Sequence, residues 1–352
     1  AEMFVFFIFI SIFFASGLYS GEKICYTEQE KITFSEVDMD SFIFSLNATM
    51  PVFLVIVLGY ILKQIGLFTD EFCRVGNKYV FLVALPVLLF RDIAQTNLYE
   101  DFELSFVLYC AGVTTLVFLG VWFLAAHILK DKSLVGAFAQ ASVRSSAAIL
   151  GIAFVENMYG NAGLAPLMIV SAVPLFNIYS VIILTFSANG GQHGTGAIRK
   201  ACINVLKNPI IIGIVLGLPF SLLRIEIPTI PLKMIESVGA TATPLALLVV
   251  GAGFEGTKAL AKIKPTLWAT AIKLVFLPAV FLPLAIALGL QDAELVAALI
   301  MLGSPTTVSC YVMATNMGND GELSTSIIVL TTLLSSVTLT GWIFLLRSMG
   351  LM

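Results

Sequence analysis

Residues 293–316 read AELVAALIMLGSPTTVSCYVMATN. The run is long and apolar enough to cross a bilayer, whose core takes about 20 such residues per helix. Yet Gly303-Ser304-Pro305-Thr306-Thr307 sits at its middle. Proline removes a backbone donor and clashes with the preceding turn. Inside a membrane that break is tolerated only where polar neighbours satisfy the freed groups. The stretch therefore predicts a membrane helix that is discontinuous near Ser304–Thr306, within a protein that can shelter the break.

Nine further runs of similar character flank it, roughly at 41–63, 75–95, 104–129, 134–157, 163–187, 207–224, 230–254, 264–289 and 322–347, making ten candidate spans. Composition agrees. Of 352 residues, 59% are hydrophobic and only 12% charged, against roughly half and a quarter in soluble domains. A net charge of −3 gives no reason to expect nucleic-acid binding. Two His (His127, His193) and five Cys without a CxxC pair offer no metal or cofactor site, and no disulfide framework. No Ser/His/Asp set falls at a shared depth, so an enzyme is not expected.

Residues 1–38 stand apart. Phe4 to Phe14 is apolar and Ala15-Ser16-Gly17 follows, as in a signal peptide, but no Lys or Arg precedes it. A signal peptide, an extra helix and a mis-assigned start upstream of Met39 or Met50 all fit. The rest divides into a first half at 39–187, a polar linker at 188–204 with the flexible run Ala188 to Gly196, and a second half at 205–352. Basic residues set the orientation. One set of loops holds Lys63, Arg74, Lys130, Lys132, Arg199, Lys200, Lys207, Lys258, Lys262 and Lys264, ten in all. The other holds Lys23, Lys31, Arg91, Arg224, Lys233 and Arg347, six in all. The richer set belongs in the cytoplasm, which leaves both ends of the core outside a plasma membrane.

The halves echo each other. Val57-Leu58-Gly59 returns as Val215-Leu216-Gly217, and Gly160-Asn161-Ala162-Gly163 as Gly318-Asn319-Asp320-Gly321, both at an offset of 158. The shared offset pairs span 1 with 6 and span 4 with 9, hence five helices with five. An odd number per repeat inverts the second copy, the signature of secondary transporters that bind substrate at broken helices near the midplane. The offset carries the break in span 9, to within one residue, to Arg144-Ser145-Ser146-Ala147-Ala148 in span 4, which is small and polar but lacks a proline. Both are expected to break, span 4 near Ser145–Ala148. A packed contact of small residues with serine back-bonding is the alternative.

Two cations lie deep in the apolar runs: Arg144 in span 4 and Lys273 in span 8. A charge at mid-bilayer costs at least ~2.5 kcal/mol, so function is the usual reason for retaining it. No acid lies at the same depth in either span. An anionic substrate would neutralise them; an ion pair with Glu236 in span 7 would be the internal alternative. Arg144, Ser145, Ser146, Ser304, Pro305, Thr306 and Thr307 are the candidate substrate-binding set, joined by Asn177, whose amide is either interhelical glue or a ligand. Lys273, whose charge can change, is the candidate for coupling.

Met50-Pro51-Val52-Phe53 with Leu58-Gly59-Tyr60, Asn77 with Leu85-Pro86-Val87-Leu88-Leu89-Phe90, Asn208-Pro209, and Pro244-Leu245-Ala246-Leu247 with Gly251-Ala252 resemble, in that order, the auxin efflux carrier family. The likeness covers about residues 41–347. It implies an all-α integral membrane fold of ten transmembrane helices in two inverted repeats of five, with broken helices 4 and 9 crossing, as in bile-acid symporters and sodium/proton antiporters. It implies transport of a small organic anion, such as malate, malonate or an auxin-like acid, by alternating access in a lipid bilayer. Proton or sodium coupling and a homodimer fit the same family. Two departures matter. Where the family has Asn and then Gly-Ile-Pro at the span-4 crossover, this chain has Ser146 and Gly151-Ile152-Ala153; at span 9 Pro305 matches, but Thr306 replaces the Gln of plant carriers. The shorter Ser146 argues against auxin itself and for another carboxylate. Gly151 and Gly303 are read as structural residues of the crossover. A non-transporting receptor or scaffold with the same fold, or a channel, remains the competing reading.

Overall fold

The computed structural model describes residues 34–95, 103–161, 163–188 and 195–352. The signal-like segment up to residue 33 and the centre of the linker lie outside the described residues. The fold is held by the unit Asp38–Met352.

The described residues are helical and contain no strand. In chain order the helices are α1 (Phe34–Gln64), α2 (Asp70–Ala94), α3 (Leu104–Ile128), α4 (Val135–Val143), α5 (Ala147–Tyr159), α6 (Ala165–Ser187), α7 (Thr195–Leu206), α8 (Pro209–Leu222), α9 (Thr229–Ala252), α10 (Gly256–Ala261), α11 (Ile263–Ala287), α12 (Asp292–Gly303), α13 (Ser309–Asn316) and α14 (Gly321–Ser348). Seven are long and apolar enough to cross a membrane: α1 from Phe42 onward, α2, α3, α6, α9, α11 and α14; α8 is apolar but shorter. The protein is a multi-pass membrane protein. Most of the run Ala188 to Gly196 lies outside the described residues; from Thr195 the chain is helical to Leu206. Gly196 lies in that helix, where neighbours of good helix propensity such as Ala197, Arg199 and Lys200 outweigh it.

The helices sort by what they pack against. α8 and the first half of α9 lie along the end of α2, and the second half of α9 along its start. Here backbones nearly touch. A Cβ at Gly251 of α9 would collide with the Ile56 carbonyl of α1, and one at Gly59 of α1 with the Leu248 carbonyl of α9. Only glycine permits this approach, the usual device where water supplies no hydrophobic drive between helices. The other group is α3, α4, α5, α6, α11, α12, α13 and α14, where α3 packs on α6, α12 on α5, and α14 on α11 and α4. Its interior carries hydroxyls: Ser142, Ser180, Ser304, Ser324, Thr331, Thr332, Ser335 and Ser336 are all buried. Many bond a carbonyl of their own helix, as Thr332 bonds Ile328 at 2.7 Å, which satisfies them without crossing to a neighbour; Ser180 and Ser304 have no such partner.

Two of the ten predicted spans are divided. Span 4 is α4 and α5 with Arg144–Ser146 between them, and span 9 is α12 and α13 with Ser304–Val308 between. The first break begins one residue earlier than the sequence suggests, and Ala147 and Ala148 are already helical. Gly303 ends α12, but Gly151 sits inside α5, where a Cβ would meet Met168 rather than the break. Two further irregularities are π-turns, Val80–Ala84 in α2 and Ile272–Phe276 in α11.

Candidate functional site

The two breaks satisfy each other. In an unbroken α12–α13 helix, residue 305 would donate to the Met301 carbonyl, but Pro305 has no N–H. The Ser145 hydroxyl donates to that carbonyl instead. The next acceptor, Leu302, would take the Thr306 amide; that amide donates to Thr331 Oγ1 at 3.1 Å, and the Lys273 ammonium donates to Leu302 at 2.5 Å. The exchange runs the other way too. The Ala141 carbonyl, which Ser145 would fill if α4 continued, accepts from the Thr306 hydroxyl at 2.7 Å. Ser146 N–H donates to the Pro305 carbonyl at 2.9 Å. Span 4 thus breaks without a proline because the hydroxyls and carbonyls of the other break replace its ladder bonds. Ser304, the residue before proline, is held extended (φ −72°, ψ 160°) as proline requires.

Arg144 caps α4, its amide still bonded to the Gln140 carbonyl at 2.9 Å. Its side chain is 5% exposed. One terminal nitrogen donates to Asn177 Oδ1 at 2.5 Å and the other reaches the Met313 thioether at 2.7 Å. The Asn177 amide is oriented by its own bond to the Val173 carbonyl at 2.9 Å. Lys273 is fully buried in the π-turn of α11 and also donates to Ser145 Oγ. Among the described residues neither cation is in an ion pair, whereas Lys63–Asp70, Arg74–Glu71, Arg91–Asp92, Lys258 with Glu255 and Glu322, and Lys262 with Asp320 and Glu322 are bridged. The alternative of a pair with Glu236 is not realised.

A cavity of about 1030 Å³ opens onto this point. Arg144, Ser145, Ser146, Asn177, Thr307 and Ser309 contribute its polar part, and Leu89, Ile152, Val173 and Phe176 belong to its apolar wall. Of the predicted set, Ser304, Pro305 and Thr306 do not line it. Pro305 and Thr306, with Thr49, Ser146, Thr243 and Thr332, border a much smaller pocket of about 20 Å³ behind the breaks. Lys273 lines neither; it touches the site only through Ser145. Residues outside the predicted set also face the large cavity: Arg91, Asp92 and Gln95 at the end of α2, and Glu236 and Thr243 on α9. Arg91 and Asp92 are paired at 2.6 Å. Their signal was two adjacent charges within an apolar run, and Glu236 was likewise an acid within a span. Among the described residues no group of His, Cys, Asp or Glu could hold a metal ion.

A multi-pass helical protein with a cavity ending on a buried arginine at paired helix breaks is of the membrane-transporter class. The family model described as membrane transport protein matches residues 44–343, and the chain belongs to that family. Named relatives span nearly their whole length on it. A Rhizobium meliloti (strain 1021) protein named "Putative malonate transporter" is 28% identical over 315 residues, 85% of this chain and 95% of the relative. An uncharacterized transporter of Methanocaldococcus jannaschii is 23% identical over 313 residues, 85% and 99%. The uncharacterized transporter YfdV of Escherichia coli (strain K12) is 24% identical over 317 residues, 86% and 98%. The protein is a membrane transporter of the auxin efflux carrier family rather than an enzyme.

Proposed function

We propose that the protein is a secondary transporter of small organic anions, working by alternating access. The observation that carries this is Arg144: a buried guanidinium on the cavity whose partners, an amide oxygen and a thioether, are both neutral. Its charge is left for a ligand, and a guanidinium pairs with a carboxylate through two parallel bonds. Ser146, Thr307 and Ser309 line the same cavity and have hydroxyls to offer the remaining carboxylate oxygens. The malonate named for the Rhizobium relative is a carboxylate of this kind.

The architecture of this reading is ten membrane crossings in two inverted repeats of five, with α4–α5 and α12–α13 as the fourth and ninth. Equivalent residues at the 158 offset support it. Gly59 of α1 packs on the α9 backbone, while Gly217 of α8 packs on that of α2, 2.9 Å from the Phe90 carbonyl to a built Cβ. Gly160 and Gly318 follow the two half-helices with left-handed φ of 74° and 72°. Both core ends face outside a plasma membrane, so the cavity, whose rim includes Gln95 and Gly163, opens outward. A cysteine placed at Gly194 then reacts only with reagents that reach the cytoplasm.

Lys273 couples transport to protons in this scheme. It bonds Ser145, which lines the cavity, and it can lose its charge while Arg144 cannot; the Cys310 thiol is an ionisable neighbour of both. Counterflow in liposomes tests the function: labelled malonate accumulates in vesicles preloaded with unlabelled carboxylate, saturably, and only with protein present. Absence of exchange with every small carboxylate overturns the reading in favour of a receptor or scaffold.

A further inference from the structure

Lys273 is placed as a dissolved cation would be. Its ammonium lies at the C-terminal end of α12, which carries the negative end of the helix dipole. Of the last carbonyls of that helix, Leu302 accepts from Lys273 directly, and Met301 accepts from the Ser145 hydroxyl, whose oxygen in turn accepts from Lys273. Both partners of the ammonium, the Leu302 carbonyl and Ser145 Oγ, are neutral oxygens. Ser304 Oγ, two residues beyond Leu302, is fully buried with no hydrogen-bond partner, so the region is richer in oxygen acceptors than one ammonium uses. Hydroxyl and carbonyl oxygens are the ligands that hard monovalent and divalent cations take. The π-turn Ile272–Phe276 carries the lysine, and π-turns recur where a helix must deliver a side chain to a functional site.

We propose that the oxygen cluster formed by Ser145 and the end of α12 is a monovalent-cation site whose occupant is the tethered ammonium of Lys273, so that the joined helix breaks need no dissolved sodium or potassium. The lysine neutralises the convergent carbonyl dipoles that Pro305 releases. It is among the largest fully buried side chains. Truncating it to alanine therefore opens a polar space of side-chain size, which water and small cations enter more readily than a dry apolar one. The vacated site then binds a free monovalent cation. Binding to the folded state alone raises stability by mass action.

The test is the melting temperature of purified, substrate-free protein, so its outcome is independent of which anion the carrier moves. Each protein is titrated with sodium, lithium, potassium or methylammonium chloride, with choline chloride as the ionic-strength control. The parent is expected to melt at the same temperature in all five salts. Lys273→Ala should melt lower in choline chloride and regain on the order of 5 °C, saturably, in at least one of the small cations. Lys273→Met, which fills the space without a charge, should be less stable than the parent and indifferent to the cation. The proposal is overturned if the parent itself gains stability saturably from an alkali cation, because a dissolved ion is then in use. It is equally overturned if Lys273→Met is as stable as the parent, because the charge is then not what holds the breaks together. The Lys273→Met and parent arms stand even if Lys273→Ala fails to fold.

Discussion

The packing of α1, α2, α8 and α9 and the packing around the two helix breaks solve the same problem by opposite means. Lipid gives helices no hydrophobic reason to associate. In the first region the solution is contact: glycines bring backbones together, as Gly251 does with Ile56 and Gly59 with Leu248. In the second it is exchange: carbonyls released by one break accept hydroxyls and an amide from the other, and an ammonium from α11. Contact of the first kind is intolerant of added volume but chemically inert. Exchange of the second kind tolerates shape changes but depends on each donor, and it leaves charge beside a cavity. One region is suited to being a frame and the other to being a site.

That contrast can be broken most directly at Gly251. Gly251→Val should destabilise by about 3 kcal/mol or more, through overpacking against the Ile56 carbonyl, with the folded yield in detergent as the readout. Normal yield and melting would mean that the frame is not held by contact. Next comes Arg144. Arg144→Ala should weaken carboxylate binding about 100-fold and Arg144→Lys about 10-fold, the range of a charge-assisted hydrogen bond, while both proteins stay folded. Calorimetry on the variant that retains charge is decisive: if Arg144→Lys binds like the parent, the two-pronged anchor is wrong. Ser145→Ala should cost about 1–3 kcal/mol, because the Met301 carbonyl loses its donor and Lys273 one acceptor. Lys273→Arg should leave carboxylate binding near the parent value yet flatten the dependence of uptake on an imposed pH gradient; full pH-driven accumulation would move coupling elsewhere.

The smallest effect is expected at the surface. Burial lowers the Lys262 amine, but Asp320 at 2.6 Å and Glu322 at 3.2 Å more than offset this and hold it above the ordinary lysine value. The network is therefore intact at neutral pH, and on the alkaline side it is lost as pH rises through the raised value, above about 10.5. Lys262→Met should cost less than about 1 kcal/mol at pH 7, with the difference vanishing at strongly alkaline pH. A larger cost would mean that this half-buried pairing braces α14 against the loop before α11.

Much of the fold was legible in the sequence because lipid imposes a simple grammar: apolar runs of a set length, charges confined to turns, and a proline where a helix stops. Pro305 marked its own break, and the shared 158-residue offset led to Arg144–Ser146 without one. Arg144, Ser145, Ser146, Asn177 and Thr307 do meet at one cavity. The position of Lys273 behind Ser145 was not legible, because a π-turn shifts the face of α11 without leaving a composition signal. Nor was the outer rim, where Arg91, Asp92 and Glu236 come together only through the packing of α9 on α2. The helix Thr195–Leu206 was hidden by the glycines before it. Which glycines touch backbone was likewise invisible, since Gly112 and Gly120 in α3 have open space where Gly251 has none.

The reciprocal bonding of the breaks sets a rule for engineering. A chimera that imports the α4–α5 segment from a relative inherits its donors without their acceptors unless the α12–α13 segment comes from the same parent. Swapped singly, each segment should yield poorly folded protein; swapped as a pair, they should carry the donor's ligand preference into the recipient intact. Grafting units in this molecule are thus not stretches of chain but two stretches, 156 residues apart at Ser145 and Met301, that behave as a single part.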